Sequence, residues 1–153
     1  GNLCQRSLSM IEKRLDSTIP QITNKGNEEL LLDKSCEELL MKGSNLVNEF
    51  KIHDYIRLVW EYIGKVNKYF NDNKPWELET NNNEKFLNVL AVTVDQIKNI
   101  AIFIYPIMPD ASIKILRIMG ISETKLLFEN MKAITLYGNK LSKVNHLFNR
   151  VQS

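Results

Sequence analysis

The chain has 153 residues, 44% hydrophobic and 25% charged, with a formal net charge of +2. That length supplies one domain with a substantial core, and that composition excludes wholesale disorder. The balance also excludes a dedicated phosphate binder, although a domain that reads a few bases while another part of the protein holds the backbone has this charge. Cys4, Cys36, His53 and His146 make no CxxC or HExxH spacing, so no metal site is expected. Two isolated cysteines read as free thiols of a reducing compartment, and the start carries no signal-peptide pattern, so a cytoplasmic location is expected. The apolar stretch 97–108 is interrupted by Lys98, Asn99 and Pro106 and is too short to span a membrane. No membrane partner is expected. The chain lacks an initiator Met, which suggests a piece of a longer protein.

Residues 2–15 read as a first helix. Leu3, Ser7, Met10 and Ile11 form one stripe; Asn2, Arg6 and Lys13 form another. Pro20 and Gly26 mark 16–27 as a loop. A second helix spans about 28–48, with Leu32, Cys36, Leu39, Gly43 and Leu46 at helical spacing. A third follows a break at 51–53, with Asp54 in its first turn. Its inner face reads as Tyr55, Ile56, Val59, Trp60, Ile63, Val66, Asn67 and Phe70, which places Trp60 in the core. It ends before Pro75, because the residue preceding a proline avoids the helical region. Residues 72–83 then form a polar loop carrying Pro75 and Trp76.

Asn82 or Asn83 caps a fourth helix that runs to about Tyr105 on Phe86, Leu90, Val94, Ile97 and Ala101. Pro106 interrupts it. Pro109 opens a short fifth helix, 110–119, and Gly120 terminates it. The tail, 121–153, is irregular, with Leu126-Leu127-Phe128 as a packing anchor and 147–151 as a segment that folds back. The fold class is all-α: one domain, 1–153, made of a bundle of about five helices over 1–120 and a tail packing back on it.

No nucleophile elbow, Gly-rich phosphate loop or His-paired nucleophile occurs, so the chain carries no active site of its own. The acidic residues, such as Glu28, Glu29, Glu37, Glu38, Glu77 and Glu79, mostly fall on solvent faces. Trp76 has two readings, a loop aromatic covering the bottom of the bundle or a platform for a nucleobase. Pro75 limits how far that loop moves, and Lys68 and Lys74 are candidates for phosphate contacts. Asn2, Arg6 and Lys13 lie within roughly 60° of one another at ~100° per residue. One helix therefore carries an amide, a guanidinium and an ammonium in a row, the groups that pair with base edges.

These residues and their order resemble the C-terminal anticodon-binding domain of methionyl-tRNA synthetase, a family of class I synthetases. The matching elements are Gly1-Asn2-Leu3-x-x-Arg6, Leu8-Ser9-Met10-Ile11, Val59-Trp60 with Asn67-x-Tyr69, and Lys74-Pro75-Trp76-Glu77-Leu78. Further on come Tyr105-Pro106-Ile107-Met108-Pro109-Asp110-Ala111, Ile115-Leu116-Arg117-Ile118-Met119-Gly120 and Leu147-Phe148-Asn149-Arg150-Val151. Asn149 stands where the family closes with Pro.

The resemblance implies an α-helix bundle in which Trp76, after Pro75, stacks on the first base of a CAU anticodon. Asn2 and Arg6 hydrogen-bond to anticodon bases, and Lys13 takes a basic position that is often Arg. It implies a tRNA partner and an N-terminal catalytic domain with HIGH and KMSKS signatures, neither of which occurs in this sequence. ATP and Mg belong to that catalytic domain of the parent ligase, and no cofactor is expected in this piece. The competing readings are the equivalent domain of a leucyl, isoleucyl, valyl or cysteinyl enzyme, against which Asn2-Arg6 with Pro75-Trp76 argues, and a helical protein–protein interaction domain.

Overall fold

The computed structural model describes residues 2–78, 83–121, 131 and 134–142, the side chain of Asn2 excepted. Six helices follow in chain order: α1 (Asn2–Arg14), α2 (Asn27–Asn48), α3 (Ile52–Asn73), α4 (Pro75–Leu78), α5 (Asn83–Phe103) and α6 (Pro109–Ile118). Segment 126–128, His146 and segment 147–151 lie outside the described residues.

Helix α5 is the centre. It is buried continuously over 89–94 and again over 96–103, so it is apolar around its whole circumference rather than along one stripe. The other five helices all pack against it. Among the described residues it alone has the length and composition to cross a membrane, and 83% of that window is buried inside the fold. Enclosure of this kind marks the core helix of a bundle.

Helix α3 meets α5 and α2 through a seam of Tyr55, Val59, Tyr62, Val66, Tyr69 and Phe70. Three phenols in that seam place their hydroxyls on neighbouring helices. Tyr55 donates to the Phe103 carbonyl, Tyr62 to Gln96 Oε1, and Tyr69 to Glu29 Oε2 at 2.6 Å. Gln96 in turn donates to Asp33 Oδ1 at 2.9 Å, which carries the network on to α2. The seam corrects the sequence reading of this helix. Trp60 is 59% exposed and Asn67 is exposed, while Ile56 and Ile63 are half-buried. Trp60 and Asn67 each stand one position beyond a seam residue, about 100° round the helix. The hydrogen-bonded tyrosines take the interior instead.

The Pro75–Trp76 segment is a helical turn rather than part of a long loop. Lys74 ends α3 in the left-handed conformation, φ 45° and ψ 60°, with its N–H donating to the Phe70 carbonyl at 3.2 Å. Proline has no N–H to leave unpaired in a first turn, so Pro75 opens α4 directly behind that cap. Part of the tail also packs on the bundle. Ile121, Met131, Leu136 and Leu141 are buried, and the Leu141 N–H donates to the Ser17 carbonyl at 2.7 Å.

Candidate nucleic-acid interface

One end of the bundle gathers the start of α1, the end of α3, and α4. Helix α1 turns Leu3, Cys4, Ser7, Leu8 and Ile11 inward, and the Ser7 hydroxyl is satisfied by donating to the Leu3 carbonyl at 2.7 Å. Arg6 is thereby left on the outer side, facing the turn that follows α3. There the Arg6 guanidinium carbon lies 4.6 Å from the centre of the Trp76 ring and 5.2 Å from that of Phe70. The two rings are 5.8 Å apart and tilted by 56°. Phe70 and Pro75 are buried and form the floor, while Trp76 remains 41% exposed.

Asn71 sets the guanidinium in place by accepting a hydrogen bond from Arg6 Nη1 at 3.2 Å. A cation over an indole is worth about 0.5–1 kcal/mol at an exposed site. The guanidinium carries its N–H donors in a planar fork, and the hydrogen bond to Asn71 uses only one of them. A base laid on the indole would meet an apolar surface beside an array of donors.

The structure brings Arg6, Pro75 and Trp76 together. Lys13 is exposed on α1, about 10 Å further along the axis. Lys74 is exposed at the cap between α3 and α4. Lys68 lies about one turn before Asn71 and donates to Asp72 Oδ2 at 2.7 Å. That hydrogen bond, with the charge of the carboxylate, holds the Lys68 ammonium above its ordinary pKa. Asn2 occupies the first position of α1, and its side chain lies outside the described atoms. Phe70 and Asn71 belong to the cluster although no sequence motif singles them out. Among the described residues no group of three or more His, Cys, Asp or Glu could hold a metal ion.

A central helix sheathed by five others, with an arginine-backed tryptophan at one end, places the chain among the helical anticodon-binding domains of the aminoacyl-tRNA synthetases. Residues 19–153 match the family model for the anticodon binding domain of methionyl tRNA ligase, and the chain belongs to that family. The methionine–tRNA ligase of Mycobacterium tuberculosis strain H37Rv is 30% identical over 156 residues, covering 99% of this chain and 30% of that protein. That of Streptococcus pneumoniae strain CGSP14 is 35% identical over 151 residues, covering 99% of this chain and 26% of that protein. The free-state crystal structure of the Mycobacterium tuberculosis methionyl-tRNA synthetase superposes with a TM-score of 0.87 at 29% identity, over 94% of this chain and 30% of that one. The chain thus spans less than a third of the length of these relatives. The family-model match begins after α1, so Asn2, Arg6 and Lys13 fall outside it, whereas the matches to the two ligases cover nearly the whole chain.

Proposed function

We propose that this chain is the anticodon-reading part of a longer methionine–tRNA ligase and that it selects tRNA bearing the CAU anticodon. One observation carries the reading: Arg6 lies 4.6 Å from the ring of a Trp76 that is 41% exposed. The first anticodon base unstacks and lies on the open part of the indole, an interaction worth ~1–3 kcal/mol. Pro75 and Phe70 hold the ring from beneath. Arg6 supplies in-plane donors to a base edge, and Asn2 adds an amide with donor and acceptor together. Lys13 is the third reader on the same helix. Lys74 takes a phosphate, and Lys68 does so once its pairing with Asp72 opens. Splaying bases out of a loop is unfavourable by itself, and stacking with edge contacts must offset it.

The parent enzyme uses ATP, with magnesium, to form methionyl-adenylate and then transfers methionine to the tRNA in the cytoplasm. Those steps fall to its catalytic domain, and this chain contributes recognition. In the full-length ligase, Trp76→Ala is expected to lower charging of CAU-bearing tRNA at least tenfold while methionyl-adenylate formation is unchanged. Equal loss in both half-reactions would overturn the reading.

A further inference from the structure

Trp60 is more exposed than the tryptophan of the site itself, 59% against 41%, and the packing of the bundle does not use it. Its place on α3 is informative. At ~100° per residue, Trp60, Gly64, Asn67 and Asn71 fall within about 60° of one another, along roughly 16 Å of helix axis. Asn71 is the residue that accepts the Arg6 hydrogen bond, so this line leads out of the Arg6–Trp76 corner. Asn67 is exposed, and at Gly64 an added Cβ would meet nothing within 4 Å. The cations flanking the line each have a carboxylate beside them, Arg57 with Asp54 at 3.6 Å and Lys68 with Asp72 at 2.7 Å, so the net charge along it is small. The face therefore offers an indole, an open backbone and an amide rather than a basic patch. Duplex backbones are held chiefly by cations on phosphates, whereas unpaired nucleotides are held by stacking and edge contacts.

We propose that this face of α3 is a second nucleotide-binding strip, continuous with the Trp76 corner, that takes a further unpaired nucleotide of the same RNA loop. The inference rests on the reading of Trp76 given above. Trp60 is the stacking platform. Asn67 presents donor and acceptor together to the base edge. Gly64, between them, has no Cβ and no neighbour within 4 Å of where one would lie, so the sugar–phosphate chain passes close to the helix.

The chain has two tryptophans, Trp60 and Trp76, so each can be made the sole indole reporter. Trp76→Phe leaves Trp60 as the reporter, and Trp60→Phe leaves Trp76; both keep a stacking ring. A hairpin RNA whose loop carries CAU is titrated into each variant, with the loop-free duplex of the same stem as a control. Indole emission is expected to be quenched in both variants over the same range of hairpin concentration, and in neither by the duplex. Trp60→Ala is expected to weaken hairpin binding by about 5- to 150-fold, the equivalent of ~1–3 kcal/mol for one stacked base. Gly64→Gln, whose Cβ would meet nothing within 4 Å, is expected to weaken it severalfold while the urea midpoint does not fall. Quenching at Trp76 alone overturns this inference and leaves the Trp76 site standing. Quenching at Trp60 alone overturns the Trp76 reading and the continuity argued from it. Quenching at neither overturns both, and quenching of Trp60 by the duplex overturns the assignment to an unpaired nucleotide.

Discussion

Arg6 and Trp76 are seventy residues apart in the chain and 4.6 Å apart in the fold, guanidinium carbon to ring centre. Asn71 keeps them so, through its hydrogen bond from Arg6 at 3.2 Å. The contact sets Arg6 against the ring while further N–H donors remain on it, and both properties belong to the planar guanidinium rather than to charge alone. Arg6→Lys keeps the charge but loses both the planar group over the ring and the fork of donors. It is expected to recover only a small part of the hairpin affinity lost in Arg6→Ala, as measured by fluorescence anisotropy. Full recovery by lysine would show that charge alone matters.

Asn71→Ala removes the tether and leaves both Arg6 and Trp76 in place. An exposed hydrogen bond contributes about 0.5–1.5 kcal/mol. Hairpin affinity is therefore expected to fall about two- to tenfold, less than for Arg6→Ala. An effect larger than that of Arg6→Ala would point to direct contact between Asn71 and RNA.

Two helical glycines separate packing from propensity. At Gly43 an added Cβ would lie 2.9 Å from Cε1 of Tyr55, a ring that is fully buried and anchored to the Phe103 carbonyl. At Gly64 the space is open. Alanine favours a helix over glycine by about 1 kcal/mol, while overpacking a core costs about 1–3 kcal/mol. Gly64→Ala is expected to raise the urea midpoint and Gly43→Ala to lower it. A stabilising Gly43→Ala would mean that Tyr55 can yield.

Both cysteines are buried free thiols. Burial pushes Cys4 from 9.0 up to about 12, and Cys36 from 9.0 up to about 11. Above pH 9 the unfolded chain releases these protons while the folded chain keeps them. The unfolded state then binds fewer protons, and stability falls as pH rises. Unfolding free energy from urea titrations is expected to be flat in this respect up to about pH 8 and to decline between about pH 9 and 11. The decline should be shallower in a Cys4→Ala, Cys36→Ala variant. An identical slope in that variant would remove the thiols from the account.

Much of the fold is legible in the sequence because its punctuation is explicit. Pro109 opens α6, and Gly120, at φ 86°, follows it. The face of α3 is not legible to the same degree. Ile56, Trp60 and Ile63 broaden its apolar stripe, and hydrophobicity alone cannot rank them against tyrosines. The choice is made by Gln96, Glu29 and the Phe103 carbonyl, which accept the three phenolic hydroxyls from other helices. Those partners are 34 to 48 residues away in the chain. The Arg6–Trp76 corner is similar. Resemblance to a family marks both residues, but Phe70 and Asn71 carry no motif and join the cluster only when α3 and α1 meet.

Trp76 and its arginine are proposed to read a base. The direct measurement is an anisotropy titration of this chain with a CAU hairpin and with hairpins altered only at the first anticodon position, repeated for Trp76→Ala. The expected result is that the native chain favours CAU over each altered hairpin by about tenfold or more. Trp76→Ala, folded by circular dichroism, should bind all of them weakly and alike. Equal affinity of the native chain for every hairpin, or undiminished CAU binding by Trp76→Ala, would contradict the account.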